Sequence, residues 1–347
     1  MQHPTVSVPA KTGVLIVNLG TPDAPTRGAV YRYLKEFLLD PRVIDINPIA
    51  RNLLVRGIIA PFRSGKSAEA YQSLWTENGS PLKYYGERLV AQVRDLLGEK
   101  YVVRLAMRYQ NPSIESAIQQ LIAEKVGRIV VFPLFPQYAS ATTGSVHEEV
   151  MRILSGQQLI PQVRLINGYC QWAPMVRLFA NNARRYDLSQ YDHILFSYHG
   201  LPQRQLRKGD AFNHCLQQSD CCQTLTPTNQ FCYSAQCYAT TKAIAAELGL
   251  PSERYSVCFQ SRLGRDPWTQ PYTVRVIEAL AKNKGAKRLL VFCPAFTADC
   301  LETTIEIGEE YREDFIKWGG EQLDLVESLN DKAEWAEMVA ELVRGEF

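Results

Sequence analysis

Short apolar runs recur along the chain, and stretches with apolar residues at helical spacing separate them. Continuous apolar runs of this length are typical of strands that are buried on both faces of a parallel sheet. The predicted strands are Val14–Leu19, Val102–Met107, Ile129–Phe132, Ile194–Tyr198, Tyr255–Phe259 and Leu289–Phe292. The predicted helices are Ala29–Leu39, Pro81–Leu97, Ser113–Lys125, Gly144–Leu154, Ala239–Leu248 and Thr273–Lys284. This alternation predicts an α/β protein with doubly wound parallel sheets.

One strand–turn pattern occurs twice. Val14–Pro22 reads VLIVNLGTP and Ile194–Pro202 reads ILFSYHGLP, so each apolar strand is followed by a Gly and, two residues later, a Pro. We predict two Rossmann-like halves, residues 1–170 and 171–330, that face a central cleft where ligands bind at the strand ends. An accidental similarity between two strand–turn signals is the alternative. Residues 331–347 are predicted to form a helix that packs on the body.

Composition and charge favour a soluble globular protein. Of the 347 residues, 46% are hydrophobic and 21% are charged. The net charge of +2 gives no reason to expect a nucleic-acid partner. No apolar run approaches the roughly 18 residues that would span a bilayer. The first residues lack the basic and then apolar pattern of a secretion signal, so we expect a cytoplasmic protein.

Cysteines are concentrated in one segment. The chain has nine, and five of them fall between positions 215 and 237. These five are Cys215, Cys221, Cys222, Cys232 and Cys237. In a reducing compartment such a group favours metal binding over disulfides. Four thiolates suit both an iron–sulfur cluster and a zinc ion, and the pattern alone leaves both open.

A histidine and a row of carboxylates are the candidates for chemistry. His199 follows a predicted buried strand and precedes Gly200, which allows a ligand to approach the backbone. Glu302, Glu306 and Glu310 are spaced i, i+4, i+8 after another strand end. This spacing stacks them on one face of a helix, where they could relay protons or attract divalent cations. A solvated acidic face is the alternative.

A third feature is the segment 46–66, which mixes apolar residues with arginine and lysine. It predicts either a core-facing amphipathic helix with a basic outer face or the lip of an apolar pocket. In the second case the ligand would carry carboxylates, which arginine pairs well.

Six motifs occur along the chain in the order seen in ferrochelatases, which the sequence therefore resembles. They are NLGTP (Asn18–Pro22), LWTENGSPL (Leu74–Leu82), PLFPQYASATTGS (Pro133–Ser145), SYHGLP (Ser197–Pro202), FQSRLGRDPW (Phe259–Trp268) and CPAFTADCLET (Cys293–Thr303). The resemblance implies the chelatase fold, with two Rossmann-like domains around a porphyrin cleft. It also implies a lyase that inserts ferrous iron into protoporphyrin IX to make protoheme, the last step of heme synthesis.

The resemblance also assigns roles to single residues. It makes His199 and Glu302 the catalytic pair and ligands of the ferrous iron, with Glu306 and Glu310 on a path for protons or iron. Cys300 stands where the family often has a second histidine. Segment 46–66 matches the mobile lip over the porphyrin. The residues that match pocket-lining positions are Tyr138, Ser140 and Trp268.

The segment 211–237 resembles the internal Cys-rich insert of some bacterial ferrochelatases, which implies a 2Fe–2S cluster. The animal-type ligand set is impossible here, because Ser140 replaces its first cysteine and no cysteine follows Cys300. The predicted ligands are Cys215, Cys222, Cys232 and Cys237, with Cys221 as a substitute for Cys222. The cluster's expected role is structural or regulatory.

Two other functions stay open. Coproporphyrin could replace protoporphyrin as the substrate, although the long apolar lip suits a substrate with only two propionates. A non-catalytic porphyrin- or iron-binding carrier could share the fold, but a carrier would not need both His199 and Glu302. Heme-pathway enzymes and, through the lip, a membrane surface are the further partners considered.

Overall fold

Two four-stranded parallel sheets form the framework of the chain. The structure is a computed structural model and describes residues 11–262, 264 and 266–345. The strands of the described residues are β1 (Thr12–Gly20), β2 (Tyr101–Tyr109), β3 (Arg128–Pro133), β4 (Gln162–Leu165), β5 (His193–His199), β6 (Tyr255–Gln260), β7 (Arg288–Phe292) and β8 (Gln322–Leu325). The strand orders are β2-β1-β3-β4 and β6-β5-β7-β8. The predicted fold class is confirmed, since both sheets are parallel and have the same order.

Helices cover the sheets and connect their strands. They are α1 (Arg27–Leu39), α2 (Pro48–Leu54), α3 (Ala60–Leu74), α4 (Pro81–Leu97), α5 (Ile114–Ala123), α6 (Ser145–Ser155), α7 (Ala173–Ala183), α8 (Gln203–Lys208), α9 (Tyr233–Glu247), α10 (Thr273–Lys284), α11 (Arg312–Lys317) and α12 (Ala333–Arg344). Three π-helical segments, in which the backbone bonds run from i to i+5, occupy Val55–Ile59, Ser140–Gly144 and Leu301–Tyr311. No helix of the described residues is both long and apolar enough to cross a membrane.

All six predicted strands are present, but the edge strands β4 and β8 escaped prediction. Their sequences, QVRL and QLDL, are short and polar at alternate positions, and most of their side chains are partly exposed. Neither strand therefore contains the continuous apolar run from which the other six were predicted. The proposed division near residue 170 falls between the end of β4 and the start of α7.

The segment that the sequence singled out as a lip lies in one continuous helical stretch. Asn47 begins it, because its side-chain oxygen accepts from the backbone amides of Ile49 and Ala50, and Pro48 occupies the first turn. The stretch runs through α2, the first π-helical segment and α3.

The main core joins the two halves. It contains residues from both sheets together with one face of α12. Trp335 of α12 is fully buried, and its ring lies 6.3 Å from Phe132 of β3 and 6.0 Å from Tyr169. Helix α12 also packs on α4 and α7, so it contacts elements that precede and follow residue 170.

Candidate functional site

His199 is the last residue of β5 and is partly buried. Its Nδ1 lies 2.7 Å from the carbonyl oxygen of Gly200. Because a carbonyl only accepts, Nδ1 carries the proton in the neutral ring and the lone pair is on Nε2. The ring of Trp268 lies beside the imidazole, with 6.4 Å between centroids. The structure thus brings two predicted site residues together, with one imidazole nitrogen able to bind a proton or a metal.

The backbone around His199 is held from two sides. The amide of Gly200 donates to the carbonyl of Gln260 at 2.7 Å, and a Cβ on Gly200 would lie only 2.9 Å from that oxygen. A side chain there would push the ends of β5 and β6 apart. The hydroxyl of Tyr233, in the first turn of α9, donates to the His199 carbonyl at 2.9 Å.

Glu302 lies in the first turn of the π-helix Leu301–Tyr311 and is partly buried. Two buried tyrosines of the first half face it, Tyr33 on α1 and Tyr71 on α3. Burial, and then the Glu302 charge, raises the pKa of Tyr33. Burial, and then the charges of Tyr33 and Glu302, raises the pKa of Tyr71. Both phenols therefore stay protonated, and elements of the two halves meet at this carboxylate.

Cys300, which precedes the π-helix, is buried beside Glu302. Burial and the neighbouring carboxylate raise the pKa of its thiol. Cys300 therefore keeps its proton next to Glu302.

Glu306 is surrounded by donors. Its Oε1 accepts from the backbone amide of Ser261 at 3.1 Å and from the hydroxyl of Tyr311 at 3.0 Å. Its Oε2 accepts from the hydroxyl of Ser261 and from Nε2 of Gln260 at 3.1 Å. This carboxylate is fixed in one orientation, whereas Glu310 is exposed. The predicted row of carboxylates thus lies on a π-helix and ends at the surface.

Tyr138 and Ser140 both line one cavity of the structure. Arg42 donates to the Ser140 hydroxyl at 2.8 Å, and the Tyr138 ring contacts Phe231 with 6.2 Å between centroids. Both residues line a cavity of about 630 Å³ whose walls include Tyr233 but neither His199, Glu302 nor Trp268. Of the three predicted porphyrin-contacting residues, Tyr138 and Ser140 thus line this cavity and Trp268 does not.

Four cysteines line the same cavity: Cys215, Cys221, Cys222 and Cys232. The Sγ atoms of Cys221 and Cys222 are 3.4 Å apart, and those of Cys222 and Cys232 are 4.0 Å apart. A hydrogen bond with Cys222 lowers the pKa of Cys232. Cys237 lies outside the cavity lining, fully buried in α9.

No group of three or more His, Cys, Asp or Glu side chains within residues 11–262, 264 and 266–345 is arranged to hold a metal ion. The four cavity cysteines are close together without forming such a group.

Several residues at the site escaped sequence reasoning. Gln260 and Ser261 belong to the motif FQSRLGRDPW. The motif does not predict their contacts with the π-helix. Leu263 and Arg265 of that motif lie outside the described residues. Tyr33 and Tyr71 occupy core-facing positions of two helices, and no sequence signal links them to Glu302.

The two-sheet α/β framework, with a histidine and carboxylates after its strand ends, has the fold of chelatases. A solved structure of the sirohydrochlorin chelatase SirB from Bacillus subtilis subspecies spizizenii, in complex with cobalt, shares the fold. The TM-score is 0.53 at 10% identity, over 97% of this chain and 98% of that one.

Sequence comparison gives the family. The ferrochelatase family model matches residues 11–347. A ferrochelatase of Legionella pneumophila (strain Lens) is 43% identical over 97% of this chain and all of the relative. One of Coxiella burnetii (strain CbuK_Q154) is 42% identical over 96% of this chain and 93% of the relative. The chain belongs to the ferrochelatase family, the lyases that insert ferrous iron into protoporphyrin in heme synthesis.

Proposed function

We propose that this chain inserts ferrous iron into protoporphyrin IX with His199 and Glu302 as its catalytic pair. The strand β5 ends in His199, and the π-helix carries Glu302. The supporting observation is that both elements are hydrogen-bonded or paired to the same residue, Gln260. Gln260 pairs with His199 in the sheet register, and its side chain donates to the Glu302 carbonyl at 2.8 Å.

The proposed reaction replaces two pyrrole protons by one dication. Nε2 of His199 takes the two pyrrole protons one after the other and releases each to solvent, since its lone pair is available in the neutral ring. The Glu302 carboxylate binds the arriving ferrous iron, for which carboxylate and imidazole are suitable ligands. Glu306 and Glu310 continue from the partly buried carboxylate to the exposed end of the π-helix, which suits a path for protons or iron.

The test is ferrous-iron-dependent loss of porphyrin fluorescence under anaerobic conditions. His199→Ala should retain porphyrin binding and lose turnover by about 10²–10⁴-fold, the usual contribution of a positioned acid or base. His193→Gln is the matched control, because His193 lies on the same strand but bonds Ser256 at 2.8 Å in the interior. A folded His199→Ala protein with normal turnover would exclude the proposed role. Wild-type protein that binds porphyrin without consuming iron would be the carrier instead.

Protoporphyrin is the proposed substrate rather than coproporphyrin. The lip exposes large apolar side chains: Ile49, Leu53 and Phe62 are 72%, 70% and 80% exposed. An apolar wall suits a macrocycle with few carboxylates better than one with more. Comparison of kcat/KM for the two porphyrins decides this, and a higher value for coproporphyrin would reverse the assignment.

The same lip is proposed to contact a membrane surface. Its exposed apolar residues stand beside exposed Arg56, Arg63 and Lys66. Apolar side chains combined with basic ones are typical of segments that lie in an anionic lipid interface. Phe62→Ser should reduce co-sedimentation with vesicles that contain phosphatidylglycerol, whereas Leu159→Ser, an equally exposed residue outside the lip, should not.

We also propose that the Cys-rich segment holds a 2Fe–2S cluster. Support comes from the four thiols that line one cavity, because thiolates are the ligands of such clusters. Cys215, Cys222 and Cys232 are retained from the predicted set. The cavity favours Cys221 over Cys237 as the fourth ligand, since Cys237 is enclosed in the protein interior. A bound cluster supplies a one-electron redox centre and cross-links the segment. The cytoplasm, which keeps these thiols reduced, is the proposed location.

Metal analysis and absorption spectra of anaerobically purified protein test the cluster. We expect about two non-heme irons per chain and visible absorption that dithionite bleaches. Cys221→Ser should lose this absorption and Cys237→Ser should keep it. The reverse result would restore the original ligand set, and a colourless protein with one zinc would replace the cluster by a zinc site.

A further inference from the structure

We propose that Gln260 is a positioning residue that sets the placement of Glu302 relative to His199. The inference rests on the catalytic pair proposed above. Gln260 is the last residue of β6, and only 2% of its surface is exposed. It contacts the elements that carry both members of the pair.

The backbone and the amide oxygen of Gln260 face β5. Its carbonyl accepts from the amide of Gly200, the residue after His199, at 2.7 Å. Its Oε1 accepts from the hydroxyl of Ser197, two residues before His199, at 2.7 Å. The Cys293 thiol also approaches Oε1, at 3.9 Å. The side chain therefore has a fixed orientation relative to the end of β5.

The amide nitrogen of Gln260 faces the π-helix. Nε2 donates to the carbonyl of Glu302 at 2.8 Å and to Oε2 of Glu306 at 3.1 Å. One side-chain nitrogen therefore holds two successive turns of the π-helix, at the backbone of Glu302 and at the carboxylate of Glu306. Because the oxygen side of the same amide is bonded to Ser197, the position of Glu302 depends on the position of β5.

A buried amide could also serve stability alone, and the two roles differ in what they change. A stabilising residue alters the amount of folded protein and leaves the turnover of each folded molecule unchanged. A positioning residue lowers kcat of folded molecules, because displacement of a catalytic group by about 1 Å can cost about a hundredfold in rate. The KM for porphyrin should stay constant, since Gln260 is buried and offers almost no surface to a ligand.

Two variants remove the donor and keep the side-chain length. Gln260→Met loses all polar contacts of the side chain, and Gln260→Glu keeps the acceptor for Ser197. The matched control is Asn182→Asp, since Asn182 is also 2% exposed and donates from Nδ2 to two backbone carbonyls far from the site, those of Glu327 and Ser328. For each protein, kcat is measured per porphyrin-binding site, with KM and thermal unfolding alongside.

We expect both Gln260 variants to lose kcat by about tenfold or more with KM within about twofold of wild type. Asn182→Asp should unfold at lower temperature with kcat per site unchanged. Wild-type kcat in folded Gln260 variants, with His199→Ala and Glu302→Gln inactive, would overturn the positioning role. Activity in His199→Ala and Glu302→Gln would overturn the catalytic pair, and this inference with it. If the Gln260 variants do not fold, Ser197→Ala is measured in their place. A severalfold loss of kcat in Ser197→Ala would support the proposal, and a wild-type kcat would overturn it.

Discussion

The two sheets share one strand order and differ in their chemistry. When β1 and β5 are aligned on the Gly–x–Pro that follows each, Leu19 stands where His199 does. A π-helical segment follows the third strand of each half, but Ser140–Gly144 reads SATTG whereas Leu301–Tyr311 carries the carboxylates. The scaffold therefore does not determine where the chemistry lies. The second half supplies the candidate reacting groups, and the first supplies side chains that enclose them.

The largest expected effect separates positions along the second π-helix. Glu302→Gln should lower kcat by about 10²–10³-fold, because the amide has no charge to offer the dication. Glu309→Gln is the matched control, because Glu309 is exposed on the same π-helix and lies off the row of carboxylates, and it should stay within about threefold of wild type. Steady-state iron insertion measures both. Equal losses in the two variants would show that the surface carboxylate is as important as the enclosed one.

The next effect compares the glycines that end the two central strands. Gly20 has a φ of +123°, and a Cβ there would lie 2.1 Å from the carbonyl of Tyr109 on β2. Gly20→Ala should therefore destabilise the protein by about 2 kcal/mol or more. At Gly200 the corresponding distance is 2.9 Å and φ is not positive, so Gly200→Ala should cost less stability and mainly lower kcat. Urea unfolding and turnover check both. A greater loss of stability in Gly200→Ala would contradict the comparison.

The acid sensitivity of the second half should come from His193. In the same alignment of β1 and β5, Gly13 of the first half corresponds to His193 of the second. Burial, followed by the charges of Lys284 and Arg254, lowers the pKa of His193 from 6.5 to about 4. The unfolded chain thus binds this proton more readily than the folded one, and stability falls as the pH drops from 6.5 towards 4. His193→Gln should flatten this part of the profile of unfolding free energy against pH. An unchanged slope would assign the acid sensitivity to other groups.

The smallest effect tests whether the first half can acquire the chemistry. Leu19→His in a His199→Ala background should not restore iron insertion, because the following π-helical segment of that half offers no carboxylate. Leu19→His alone should change stability by about 1 kcal/mol, the usual size for a partly buried position. Fluorescence assays and thermal unfolding suffice. Recovered turnover would mean that the halves are chemically interchangeable.

The parts of the fold that depend on the hydrophobic pattern could be predicted from the sequence. Buried strands such as β1 and β5 are continuous apolar runs, and the shared turn after each predicts the repeat. The π-helix at Leu301–Tyr311 could not be predicted, since carboxylates at i, i+4 and i+8 read as an α-helix whatever the backbone bonding. The contacts of Gln260 could not be predicted from the sequence either. They join residues far apart in sequence, and such contacts leave no local pattern.

The sequence also could not predict that Cys237 lies apart from the other four cysteines of the segment. Density along the chain groups Cys237 with Cys232, which is only five residues away. Cys232, however, immediately precedes α9 and lines the cavity, whereas Cys237 lies within α9 and is buried in the core. Spacing identifies a candidate group of ligands, and the choice among them depends on the direction of each side chain.

The position of α12 has a consequence for synthesis on the ribosome. Trp335 and its neighbours fill a space against β3 and α4, elements that leave the ribosome long before residues 333–344 are made. Until then the nascent first half exposes an apolar surface to solvent, a state that is prone to aggregation. We expect this half to depend on chaperones during translation and to become resistant to proteases only after α12 has docked.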